Sequence, residues 1–123
     1  MLDIPTYKWI HLVGLFLVWT ALGGAVFHAV NGGTKETNSK RKLIGITHGV
    51  GMFIILLGGF GGLARMGMTD GLPGWALAKL GLWVLVGAML PLSNRFPKAG
   101  LGLFFALPAI GALAAFLAIW KPF

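Results

Sequence analysis

The chain has no cysteine and only three acidic residues in 123. The first absence excludes disulfides and thiolate-held metal sites, and it leaves the redox compartment unreadable. The second leaves Asp3, Glu36 and Asp70 at the N-terminus and in polar connections, so no buried carboxylate pair can bridge a metal or relay a proton. A phosphate-cradling glycine loop, a dinucleotide fingerprint and a nucleophile elbow are missing as well. Charge of any sign is scarce: charged residues make up 11% of the chain against 57% hydrophobic. A mean hydropathy of +0.85 is far from a soluble domain's balance.

What is present in excess is apolar, and it lies in four long runs, so the solvent for this fold is lipid. The length allows one domain. The runs predict membrane spans at about 7–30, 43–66, 75–92 and 99–120. Short connections join them, and the fold class is therefore an all-α membrane protein, a four-transmembrane-helix up-down-up-down bundle. The first run is too long and too lightly charged at its start for a cleaved secretory signal, and is expected to remain in the mature protein. Pro5 is a plausible helix opener. Gly45/Gly49 and Gly58/Gly62 in the second run have the four-residue spacing that lets helices approach closely in lipid. Pro108 is expected to kink the fourth helix and free a carbonyl near Phe104 for a neighbouring helix to satisfy.

The formal charge of +7 is carried by loops and span ends rather than by a surface long enough to bind nucleic acid, and anionic lipid is the natural partner. The first and third connections hold Lys35, Lys40, Arg41, Lys42, Arg95 and Lys98, whereas the opposite face holds Lys8, Arg65, Lys79 and Lys121. That excess predicts the two connections inside and both termini outside. Trp9, Trp75 and Trp120 fit an aromatic belt on the outer face, and Trp19 and Trp83 read as packing or lipid-facing bulk.

Antiparallel threading sorts the ionisable groups into two layers. His11, Arg65 and Lys79 fall in the outer one, His28 and His48 in the inner one. His11 and His28 are 17 residues apart, about 25 Å of helix rise, so they cannot share a site. His28 and His48 are candidates for a metal-binding pair that could hold a haem iron axially from facing helices. The competing arrangement has each imidazole hydrogen-bonded to a backbone carbonyl or resting among headgroups. Arg65 and Lys79 could bind a propionate or a quinone oxygen with His11 exchanging a proton, or could snorkel to the interface. Asp70 is the acid in the adjoining turn that either base could pair with. Lys79, inside its span behind Trp75, is the hardest of these groups to place on the surface.

The opening KWIHLVGLFLVWTALGG, followed by FHA, resembles the first helix of HemJ-type protoporphyrinogen oxidases and of CopD- and SirB-type membrane proteins. WALAKLGLWVLVG is similar to the Trp-x-x-x-Lys opening of a later helix in the same group. The resemblance maps onto His11 and Lys79. It implies a small bacterial inner-membrane bundle with haem (haem b) or porphyrin chemistry. The expected function is thus a haem- or quinone-associated redox role using His11, His28, His48, Arg65 and Lys79. The alternative is a non-catalytic accessory subunit, packing through glycine and alanine faces against other membrane subunits or a second copy of itself.

Overall fold

Asp3 starts the first helix: its carboxylate accepts the Thr6 N–H at 2.9 Å. Pro5 occupies a first-turn position whose N–H would have no intrahelical partner. In the computed structural model, which describes residues 2–68 and 70–123, α1 then spans Ile4–Val30, α2 Arg41–Arg65, α3 Gly74–Arg95 and α4 Gly100–Trp120. A single 3-10 turn at Pro97–Ala99 leads into α4. All four helices are long and apolar enough to cross a bilayer, and no strand forms among the described residues. The protein is an all-α four-helix membrane bundle.

The helix ends depart from the sequence expectation in ways that local chemistry explains. The Asp3 cap lets α1 begin at Ile4, ahead of Tyr7. α2 takes Arg41 and Lys42 into its first turn instead of starting at Leu43. α3 does not stop near Pro91 but passes through it to Arg95. Proline removes one intrahelical hydrogen bond, and just beyond it the Ser93 hydroxyl donates to Leu90 O at 2.8 Å.

α1 is the central helix. It touches each of the other three and packs most extensively on α2. Its buried positions Gly14, Val18, Ala21, Leu22, Ala25, Val26 and Ala29 recur at helical spacing along one broad face. Val18, Leu22 and Val26 meet Met52 and Ile55 of α2, Val86 and Met89 of α3, and Leu107 of α4 in one core.

Glycine sets the closeness of α1 and α2. A Cβ at Gly14 would stand 2.7 Å from the Ile55 nitrogen and 2.9 Å from the Gly51 oxygen. One at Gly51 would lie 2.7 Å from a Val18 methyl, and one at Gly58 would overlap the His11 backbone. The helices therefore meet backbone to backbone, as small residues permit in lipid. Of the spaced pairs in the sequence, Gly58 is at this contact, whereas Gly45 and Gly49 face open space.

Elsewhere, indole N–H groups reach across to carbonyls. Trp19 Nε1 donates to Leu107 O of α4 at 3.1 Å, and Trp83 Nε1 donates to Met52 O of α2 at 3.0 Å. A donor from a neighbouring helix thus does arrive beside Pro108, but on the carbonyl of Leu107 rather than near Phe104. The two tryptophans are hydrogen-bonded struts as well as bulk.

Candidate functional site: the His11–Lys79 layer

The site is built where the start of α1, the second half of α2 and the start of α3 converge. His11 lies half-buried against α2, its backbone packed on Gly58, where no side chain would fit, and its ring beside Gly59. Its Nδ1 is 2.8 Å from Ile55 O. A carbonyl can only accept, so Nδ1 carries the proton and donates. That bond fixes the neutral ring's tautomer and leaves Nε2 with its lone pair.

Lys79 follows Trp75 by four residues and precedes Trp83 by four, so the three share a face of α3. Trp75 is buried, while Lys79 and Trp83 are half-buried. The Lys79 ammonium is within electrostatic reach of His11 and of Lys121. Lys121 ends α4 in a left-handed conformation, with φ 46°. Its Nζ donates to Ala118 O and sits 5.2 Å from the centre of the Trp75 ring. The chain end then folds onto α3, where Phe123 covers Gly74.

In the layer foreseen from sequence, His11 and Lys79 lie within electrostatic reach of each other, and the further charge that reaches Lys79 is Lys121, not Arg65. Arg65 is exposed in the last turn of α2, and its charge reaches Asp3. Asp70 is exposed in the α2–α3 connection, and the charge that reaches Lys79 is the like charge of Lys121. The signal for Trp83 was the four-residue repeat Trp75, Lys79, Trp83. Lys121 could be put on the outer face from sequence but not beside Lys79, because that depends on how α4 returns.

The inner histidines bond to different parts of the fold. His48 is buried, and its Nε2–H donates to Val86 O of α3 at 3.3 Å. His28 Nε2 lies 2.9 Å from Thr34 O and 3.0 Å from Thr37 Oγ1, and it donates into the first connection. All three imidazoles thus bond to backbone carbonyls, and His28 and His48 share no hydrogen-bond partner. No cluster of three or more metal-ligating side chains forms among the described residues.

The layer thus holds two cations, a histidine with a free lone pair and two indoles. Searches against protein-family models, curated proteins and solved structures find no match for the chain. The fold defines the class: a small multi-pass membrane protein.

Proposed function

We propose that the protein holds a haem or a quinone at the His11–Lys79 layer and serves membrane redox chemistry. One observation carries this reading: the ammonium of Lys79, half-buried inside a span, lies within electrostatic reach of a second cation, Lys121, and of the His11 imidazole, and among the described residues no carboxylate reaches it. An intramembrane base of that kind calls for an anionic or strongly accepting ligand.

The residues fit both ligand classes. A histidine whose Nδ1–H is held by a carbonyl has its ring oriented, and its Nε2 made more basic, in the way usual for a metal-ligating imidazole. Nε2 of His11 would bind an iron or accept a quinol proton. Lys79 would hold a propionate or a quinone oxygen, and Trp75 and Trp83 would flank the ring. With no cysteine in the chain, any haem is held non-covalently, as haem b is. When bound, such a group supplies reversible electron transfer. We favour His11 over the His28 and His48 pair because each of those commits Nε2 to the fold. Only the nitrogen nearer its own backbone is then left.

The test is titration of the purified protein with haemin and, separately, with a short-chain benzoquinone. Saturable binding of either is expected, with a Soret band in the haemin arm that His11→Ala removes. Lys79→Met is expected to weaken binding on the order of ten-fold, the worth of a charge-assisted hydrogen bond. Saturation by neither ligand, or binding unchanged in both variants, would overturn the proposal.

A second reading has its own support. Gly45 and Gly49 present a small-residue pair that meets nothing within 4 Å, the kind of surface a partner helix uses in lipid. It makes the protein an accessory subunit or a homo-oligomer. A colourless preparation that binds neither ligand and cross-links through residue 45 to a second membrane chain would favour it. For either reading we place the protein in a bacterial inner membrane, with both termini outside.

A further inference from the structure

The opposite end of the bundle carries a second constellation, independent of the redox reading. The first connection is polar, yet it is tied down. Thr34 O receives the His28 Nε2–H at 2.9 Å, the Thr37 hydroxyl at 3.0 Å and the Thr37 N–H at 3.2 Å. In return, the Thr34 N–H donates to Thr37 Oγ1 at 2.8 Å. Gly33 N–H donates to His28 O at 2.9 Å, and the His28 ring occupies the space that a side chain at Gly33 would need. A flexible linker has no use for such a knot. It holds Thr34, Lys35 and Glu36 in a fixed position on the end of α1.

These three residues form one wall of an open depression whose other wall is Pro91, Asn94 and Arg95 at the end of α3. Lys35, Glu36 and Arg95 are exposed, and Thr34 and Asn94 are half-buried. The Arg95 guanidinium lies 5.7 Å from the centre of the Phe96 ring, which supports it from one side. The depression therefore offers two cations, an amide, a hydroxyl and one carboxylate, at the depth where the apolar surface of the spans ends. Hydrogen bonds from its own backbone N–H and then from Thr34, with the nearby charges of Lys35 and Arg41, hold the Glu36 carboxyl below its ordinary range.

We propose that this depression binds the headgroup of an amine-bearing zwitterionic phospholipid, with the phosphate on Lys35 and Arg95 and the ammonium on Glu36. Charge complementarity selects this occupant. A phosphate diester takes the bidentate donors that a guanidinium supplies, and a wholly anionic headgroup would leave Glu36 facing like charge. The general attraction of basic membrane faces for anionic lipid needs no fixed wall and no acid.

The experiment is native mass spectrometry of the full chain released from mild detergent. The protein is titrated with phosphatidylethanolamine and, separately, with phosphatidylglycerol of the same acyl chains. Wild type is expected to retain phosphatidylethanolamine more strongly. Lys35→Gln and Arg95→Gln are each expected to lower that retention on the order of ten-fold, and Glu36→Gln to abolish the preference for the amine lipid. His28→Phe, which loosens the knot without touching the charges, should reduce retention with the preference intact. Equal or stronger retention of phosphatidylglycerol by wild type would overturn the proposal. So would unchanged phosphatidylethanolamine binding in both cation variants, whose exposed positions leave helix content, read by circular dichroism, as the control for folding.

Discussion

Lys79 holds its charge about a turn inside α3, between two indoles and within reach of a second cation. No carboxylate among the described residues reaches that charge, so removing it should help the fold while harming the proposed ligand site. Lys79→Met keeps an unbranched stem and is expected to raise the thermal unfolding midpoint in detergent. The gain should be below the roughly 2.5–3.5 kcal/mol that a charge costs at a helix centre. A lowered midpoint would mean that the ammonium makes a structural contact and that the site reading is wrong. Asp3 behaves in the opposite sense at the chain's start. Hydrogen bonds from the Thr6 hydroxyl and then the Thr6 N–H hold its carboxyl below the ordinary range. Its capping contribution is therefore complete above the ordinary carboxylate pKa and is lost as pH falls through the lowered folded value. Protection against hydrogen exchange at the first turn of α1, taken relative to the intrinsic rate at each pH, should fall on acidification in wild type and stay level in Asp3→Asn, which keeps the acceptor without the proton equilibrium. At this scale the sequence revealed which groups were out of place, His11 and Lys79 above all. It did not reveal the tautomers or the third charge, because those follow from carbonyls and chain ends brought close only by the fold.

The four helices could be counted from the sequence because a bilayer demands uninterrupted apolar length, and length is visible without knowing any contact. Which face of each helix turns inward was much less visible. Lipid is as apolar as the core, so the periodic contrast that marks the buried face of a soluble helix is nearly absent. Hence Gly45/Gly49 and Gly58/Gly62 looked alike in sequence, while the contact uses Gly14, Gly51 and Gly58. The distinction is testable. Gly58→Ala forces α1 and α2 apart at the His11 backbone and is expected to cost about 1–3 kcal/mol, the usual penalty of overpacking. Gly45→Ala meets open space and is expected to be neutral or to stabilise by up to about 1 kcal/mol through helix propensity. Thermal unfolding of the two variants side by side checks both, and equal behaviour would contradict the packing. Pro91 gives the same lesson along the helix axis: a proline reads as a terminus, yet α3 runs on to Arg95. The sequence marks the missing N–H but not whether the following turns find bonds of their own.

Across the whole molecule, an even number of spans puts both termini on one side, and the choice of side rests on charge alone. Six basic residues lie in the first and third connections or in the helix ends that flank them, Arg41 and Lys42 starting α2 and Arg95 ending α3, against four on the other face. Of those four, Lys79 is half-buried within α3 and Arg65 ends α2, so their hold on orientation is the weaker one. Of the six, Lys35 and Arg95 line the depression between the first connection and the end of α3, and Lys40, Arg41 and Lys42 form a basic run. That run is therefore the lever. Replacing Lys40, Arg41 and Lys42 together by glutamine leaves Lys35, Arg95 and Lys98 facing the four bases opposite, and the bias vanishes or reverses. A reporter fused after Phe123 and active only in the cytoplasm should be silent on the wild-type chain. On the triple variant it should become active in a substantial fraction of molecules. A signal from the wild-type fusion would invert the assigned orientation, and silence in both would show that something other than the loop charges fixes it. The His11–Lys79 layer should follow the inversion, with the proposed haemin or quinone binding in detergent unchanged. Lys40, Arg41 and Lys42 lie at the far end of the bundle from His11 and Lys79, so orientation and site can be altered separately.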